Sequence, residues 1–161
     1  IICTGAVRRE GTSDGYVMNA YPAAAHHEVT LALIQAAEEL DYPYHVGIGY
    51  TAASFFCGQG RPGYKGYRQS SMDTLLPDLQ AAGVLNFEME AATVLTISSL
   101  YNIRAGAIFT VVANRVDNSF QYDSGSTDRN IQVANRAMEL LWEWEKKKKA
   151  AGKEHFFPGL L

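Results

Sequence analysis

Glu88 and Glu90 flank Met89 in the segment Asn86-Phe87-Glu88-Met89-Glu90, where a short apolar stretch gives way to a run of Ala, Thr, Ser and Leu. Two carboxylates so close repel each other and resist burial, so they need sugar hydroxyls, cations or backbone N–H groups as partners. The first turn of a helix also favours acidic side chains, by about 0.3 to 1 kcal/mol through its dipole. A second place is the glycine-rich stretch over 55–61. Gln59 and Arg61 offer a flat array of donors with one acceptor, which suits the carbonyl and imide edge of a pyrimidine, with Phe55 as a packing wall. A solvated loop arginine has the same sequence pattern. Arg115 is the third, directly after the apolar run that ends at Ala113-Asn114; it is placed to hold a ligand group, or to pair with Asp117 or Glu90.

Other groupings promise less. His26 and His27 are adjacent, so on a helix they point in different directions and a shared metal is not expected. Cys3 and Cys57 lack metal-ligand spacing and read as structural thiols. Gly58-Gln59-Gly60 is too short to cradle a phosphate. Trp142 and Trp144 read as core and interface, and Lys146 to Lys149 as a solvated helix end.

These residues need elements to hold them. Apolar runs without helical period place strands over 1–7, 45–51 and 84–87, and a longer one over 105–113 reads as a central parallel strand. Helical spacing of Val29, Leu33, Ala36, Ala37 and Leu40 places a helix before Pro43. Further helices are predicted over 70–82, with Ser70 or Ser71 as cap, over 88–101, and over 127–149; residues 8–22 and 54–68 read as loops. Alternating strands and helices define an α/β fold, whose ligands gather where strands end. All three candidate places lie at such ends.

A length of 161 residues fits one domain, 1–161. The net charge of -3 implies no basic face for nucleic acid, and no apolar run is long enough to span a bilayer. Two distant cysteines without a secretory pattern make the cytoplasm the expected compartment. The chain opens without Met on what reads as a buried strand, so an upstream portion is expected.

The three places, taken together, resemble the nucleoside phosphorylase family in its uridine branch. The similar stretches are Thr4-Gly5-Ala6-Val7-Arg8-Arg9-Glu10-Gly11-Thr12-Ser13, Tyr21-Pro22-Ala23, His45-Val46-Gly47-Ile48, Phe55-Phe56-Cys57-Gly58-Gln59-Gly60-Arg61, Asn86 to Thr93, Ile103-Arg104-Ala105-Gly106 and Val111-Val112-Ala113-Asn114-Arg115. The Glu-Met-Glu motif marks the superfamily, and the Gln-x-Arg loop its uridine branch. The resemblance implies a three-layer α/β/α fold around a mostly parallel or mixed sheet. It implies reversible phosphorolysis of uridine to uracil and ribose 1-phosphate, with inorganic phosphate as co-substrate, no other cofactor, and no metal. Gln59 and Arg61 would bind the uracil, Phe55 would pack near base and sugar, and Glu88, Met89 and Glu90 would hold the ribose, with Glu90 on its hydroxyls. Val112 would line the base pocket and Arg115 border it. Gln59, Arg61 and Glu90 would carry the catalysis. Members assemble as homo-oligomers, dimers grouped into hexamers.

Purine-directed members place an aspartate after the last strand, to protonate the purine; here no acid follows Ala113 until Asp117. That favours the uridine branch over the alternative, a nucleoside hydrolase of the same superfamily. The family's aspartate before Phe55 is also missing, since Thr51-Ala52-Ala53-Ser54 stands there. The family's phosphate site lies largely upstream of the matching stretches, so the isolated chain is expected to be inactive. A non-catalytic nucleoside-binding fragment is the remaining alternative.

Overall fold

Two apolar stretches without helical period form the middle of the sheet. β1 (Ile2–Arg9) and β3 (Val46–Ala52) run parallel, with Ile2 opposite Val46 and Arg9 opposite Ala52. β4 (Asn86–Glu88) extends the parallel order beyond β3. The two-residue strands β2 (Ala23–Ala24) and β5 (Ala107–Ile108) each pair antiparallel with β1, making a mixed five-stranded sheet. Among the described residues, four α-helices accompany it: α1 (His27–Glu39), α2 (Leu75–Ala81), α3 (Ala91–Leu100) and α4 (Ser124–Ala151). The computed structural model describes residues 1–117, 119–121 and 124–160.

Successive strand residues point to opposite faces. Ile108 packs into a core formed by Ile2, α1 and α4, while its neighbour Ala107 packs into a second core with Ala23 and α3. The sheet therefore lies between α1 and α4 on one face and α3 on the other, the α/β/α layering expected. Ile2 and Ala6 are an even number of residues apart yet serve different cores. A shift in the β1–β3 register between Cys3 and Gly5 changes the phase of the strand and accounts for this. Small residues Ala36, Ala37 and Ala137 let α1 and α4 approach closely, with Leu33, Leu140 and Trp144 filling the space around them.

Each of the four α-helices ends the same way, with a left-handed residue followed by two reversed hydrogen bonds. The left-handed residues are Asp41, Gly83, Asn102 and Gly152. After α3, Asn102 N–H donates to Ser99 O and Ile103 N–H to Ser98 O; after α4, Gly152 N–H donates to Lys149 O and Lys153 N–H to Lys148 O. This satisfies carbonyls that a helix end otherwise leaves open. Gly152 has φ +63, where a side chain is disfavoured. Gly152→Ala is expected to lower stability by about 1 kcal/mol, readable in urea denaturation; an unchanged midpoint would show that the turn tolerates a Cβ.

The turn at Gly152 sends the chain back across α4. Phe156 lands on Trp144 with ring centroids 3.8 Å apart and planes within 8°. Its backbone N–H donates to Glu28 Oε1 at 2.9 Å. Glu28 is 1% exposed, and its carboxylate also takes Lys148 Nζ at 2.9 and 3.0 Å and Arg104 Nη1. Burial would raise its pKa, but the Phe156 N–H, Lys148 and Arg104 outweigh that and hold it at about 2. Four segments meet on one carboxylate.

Several sequence expectations change. The run over 105–113 is not a central parallel strand: its ladder with β1 covers only Ala107 and Ile108 and is antiparallel. The Phe109 N–H bonds Ile1 O, and beyond it the antiparallel path runs past the first residue of β1. The helix expected over 70–82 is a 3-10 turn (Ser70–Met72) followed by α2, capped by neither serine. Pro77 falls in the first turn of α2, where its missing N–H has no helical partner to lose. The helix expected from Glu88 starts at Ala91, because Glu88 closes β4. β1 extends through Arg9, since its ladder with β3 continues to Ala52, and Arg8 grips the next loop: its guanidinium donates to Met18 O, Tyr21 O and Ser13 Oγ and pairs with Asp14. The lysine run is not wholly solvated, as Lys148 is drawn inside by Glu28.

Candidate active site

The end of β4 and the start of α3 are joined by Glu88. Its backbone closes the strand, its side chain is 8% exposed, and its carboxylate turns toward the protein. Oε2 accepts the Glu90 N–H at 2.8 Å and the Ala91 N–H at 2.6 Å. Oε1 accepts the hydroxyl of Thr51, the residue directly opposite in the β3–β4 register, and Thr51 Oγ1 accepts the Ala92 N–H at 2.9 Å. The two glutamates thus part company. Glu88, expected on the sugar, serves the helix terminus, which lacks a capping bond from its own N-cap residue, Glu90. Glu90 and Met89 are exposed, with the Met89 N–H on Glu90 Oε2 at 3.2 Å.

The loop after β3 carries the second group. A 3-10 turn (Cys57–Gln59) ends on left-handed Gly60, and the Arg61 N–H bonds Phe56 O at 2.9 Å, which folds Arg61 back over the turn. Its guanidinium lies 4.1 Å from the centroid of the Phe55 ring and donates through Nη1 to Gln59 Oε1 at 2.6 Å and Phe55 O at 3.2 Å. Gln59 is 4% exposed. With its oxygen held by Arg61, its amide nitrogen is left to donate.

Arg115 joins these groups from the far end of the chain. Its guanidinium sits 5.2 Å from the Phe87 ring centroid, and Phe87 stands edge-on to Tyr50 at 5.3 Å. Burial lowers the pKa of both Arg61 and Arg115, and Arg61 lowers that of Arg115 further. Arg115 Nη1 is buried with no hydrogen-bond partner among the described residues. Arg115 pairs with neither Asp117 nor Glu90. Two partly desolvated guanidinium groups whose charges are felt by one another, with a donor unsatisfied, favour acceptor oxygens nearby.

Val112 is 40% exposed and sits on the strand-like return where the Gln121 N–H bonds Val112 O. Asn114 Oδ1 accepts the Val116 N–H and Asp117 Oδ1 the Ser119 N–H, both local turn bonds. Hydrogen bonds from Ser119 hold the Asp117 pKa below its ordinary value, so Asp117 is poorly suited to donate a proton. Residues given no role in the sequence reading also bear on the site. Thr51 is fully buried beside Glu88, and Glu10 accepts the Ser13 and Thr93 hydroxyls, tying the loop after β1 to α3. The strand register alone pairs Thr51 with Glu88, but that register is invisible before the strands are aligned.

Elsewhere, His27 and His155 approach Glu28, with one potential ligand atom of each within 4.8 Å of the others. Glu28 is already enclosed by Lys148, Arg104 and the Phe156 N–H, so its oxygens are not open to a cation. Cys3 is buried and Cys57 partly so, and both are free thiols. Among the described residues no helix is long and apolar enough to cross a membrane.

A glutamate-capped helix start and a loop that presents amide and guanidinium donors, on a mixed α/β/α sheet, agree with what the sequence comparisons show. The model of the phosphorylase superfamily matches residues 1–143, and the chain belongs to that family. Among its relatives, the uridine phosphorylase of Thermococcus kodakarensis is 49% identical over 160 residues, covering 99% of this chain and 57% of the relative. That of Escherichia coli K12 is 35% identical over 144 residues, covering 89% of this chain and 55% of the relative. A guanosine phosphorylase of Halorubrum lacusprofundi is 34% identical over 116 residues, 72% of this chain and 43% of the relative. The chain therefore spans little more than half the length of the uridine phosphorylases it matches.

Proposed function

We propose that this chain forms the nucleoside-holding part of a uridine phosphorylase, a pentosyltransferase that converts uridine and phosphate into uracil and ribose 1-phosphate. The observation that carries the reading is the Arg61–Gln59 hydrogen bond over the Phe55 ring, together with an Arg115 Nη1 that is buried and without a partner among the described residues. Such donors fit the carbonyl oxygens of uracil. Cleaving the glycosidic bond leaves negative charge on the departing base, and fixed donors there stabilise the charge as it grows, which lowers the barrier rather than only tightening binding. Phe55, held against the Arg61 guanidinium, bounds the base, and Val112 lies beside it. Glu90 and Met89, exposed at the start of α3, meet the ribose. A carboxylate on the sugar hydroxyls positions the ring and favours its cationic character. Glu88 supports that contact from behind.

Asp117, the first acid after Ala113, is bound into its own turn and held below its ordinary pKa, which supports the pyrimidine. Inorganic phosphate is the co-substrate, and no other cofactor belongs to the scheme. A homo-oligomer completes the reading. Free thiols at Cys3 and Cys57 support a cytoplasmic location.

Calorimetric titration of the 161-residue chain tests the proposal. Uridine and uracil are expected to bind, and hypoxanthine not; preferential binding of hypoxanthine would overturn it. Uracil release from uridine and phosphate is expected to be undetectable with this chain alone, and robust turnover would show that it holds phosphate unaided.

A further inference from the structure

The start of α3 hangs on one hydroxyl. Thr51 is fully buried in β3, and Thr51 and Glu88 face one another across the β3–β4 ladder. Its hydroxyl has one proton, donated to Glu88 Oε1, and its oxygen accepts the Ala92 N–H. Glu88 Oε2 takes the N–H groups of Glu90 and Ala91. Three consecutive N–H groups at the head of α3 are thus satisfied by two side chains, one from each strand below. The β-branch of threonine stiffens χ1 and holds the oxygen toward the helix.

We propose that Thr51 is a positioning residue for the sugar end of the site, acting through Glu88 to fix the backbone from which Glu90 and Met89 project. This rests on the nucleoside reading above. The effect is local to one end, because Gln59 and Arg61 are set by the turn over 57–59 and by their own mutual bond, not by Thr51. Valine at position 51 fills nearly the same volume but leaves the Ala92 N–H and Glu88 Oε1 without partners in a site closed to water. The head of α3 must then shift to find others, and Glu90 shifts with it.

Uridine and uracil separate the two ends, since uracil has no ribose. In titrations of the 161-residue chain, Thr51→Val is expected to weaken uridine binding about tenfold while leaving uracil binding within about twofold, and Thr51→Ser to restore uridine binding. Equal weakening of both ligands would mean general loosening and overturn the proposal. So would unchanged uridine binding, or a serine variant no better than valine. If Thr51→Val does not fold, Glu88→Gln probes the same relay from its other end, replacing one acceptor oxygen with a donor at constant volume. It must show the same loss confined to uridine, or the proposal falls. Failure of the unmodified chain to bind uracil counts against the base-site reading instead, and the uridine titrations with Thr51→Ser still decide the role of Thr51. Failure to bind either ligand overturns both.

Discussion

Glu28→Ala lowers the unfolding free energy by about 3 to 5 kcal/mol, the usual consequence of deleting one partner of a buried ion pair. Lys148, with its side chain only 7% exposed, is left with Glu145 alone, and the Phe156 N–H loses its acceptor. A domain with about 5 to 15 kcal/mol in hand is then marginal. Urea denaturation measures the loss; a change below about 1 kcal/mol, within the range of surface pairs, would show that the network closes over the deletion. The pH dependence has a definite sign. The Glu28 pKa falls from its ordinary 4.5 to about 2 in the folded protein, so the unfolded chain takes up the proton first as pH drops. The stabilisation is complete above about 4.5 and is lost progressively as pH falls toward about 2. Glu28→Gln removes that dependence.

Arg61→Ala weakens uridine and uracil together, by roughly tenfold to a hundredfold, the scale of a hydrogen bond to a charged group. The loss has two sources: the guanidinium on the base oxygens, and the hold on Gln59 and Phe55 that orients both. Lysine does not substitute, because one ammonium cannot lie flat on the Phe55 ring while donating to Gln59 Oε1 and a base oxygen. Full restoration by Arg61→Lys in a titration with uracil would contradict this account. The contrast with Thr51→Val is diagnostic: one change spoils base and nucleoside alike, the other the nucleoside alone.

In the proposed site, the base end was the more legible part. Gln59 and Arg61 are two residues apart, so the turn that joins them needs no distant partner, and their pairing follows from local chain geometry. The sugar end was legible only as residue types. Glu88 and Glu90 are equally close, yet one faces the interior and the other solvent; the N–H groups at the head of α3 hold Glu88 inward together with Thr51, 37 residues earlier. The same distinction runs through the fold. Helical periods and the left-handed Gly, Asn and Asp residues at helix ends are local, and α1, α3 and α4 follow them with shifted ends. The run over 105–113 misled because its apolar character reflects packing against α1 and α3 rather than a long ladder: a Cβ on Gly106 would meet Val29 Cγ1 at 2.6 Å. Lys148 misled for the converse reason. Its neighbours in sequence are solvated lysines, while its partner lies 120 residues away.

Those distances bear on how the protein comes off the ribosome. Glu28 is made well before its partners, since Lys148 and the Phe156 N–H follow it by 120 and 128 positions. While the chain is being synthesised, α1 presents an acidic side chain, and the apolar face around Leu33, to a sheet whose covering helix does not yet exist. Closure of that face waits for translation to reach the return segment after Gly152. Nascent chains halted before that point carry an open α1 surface of the kind that makes incomplete chains prone to associate.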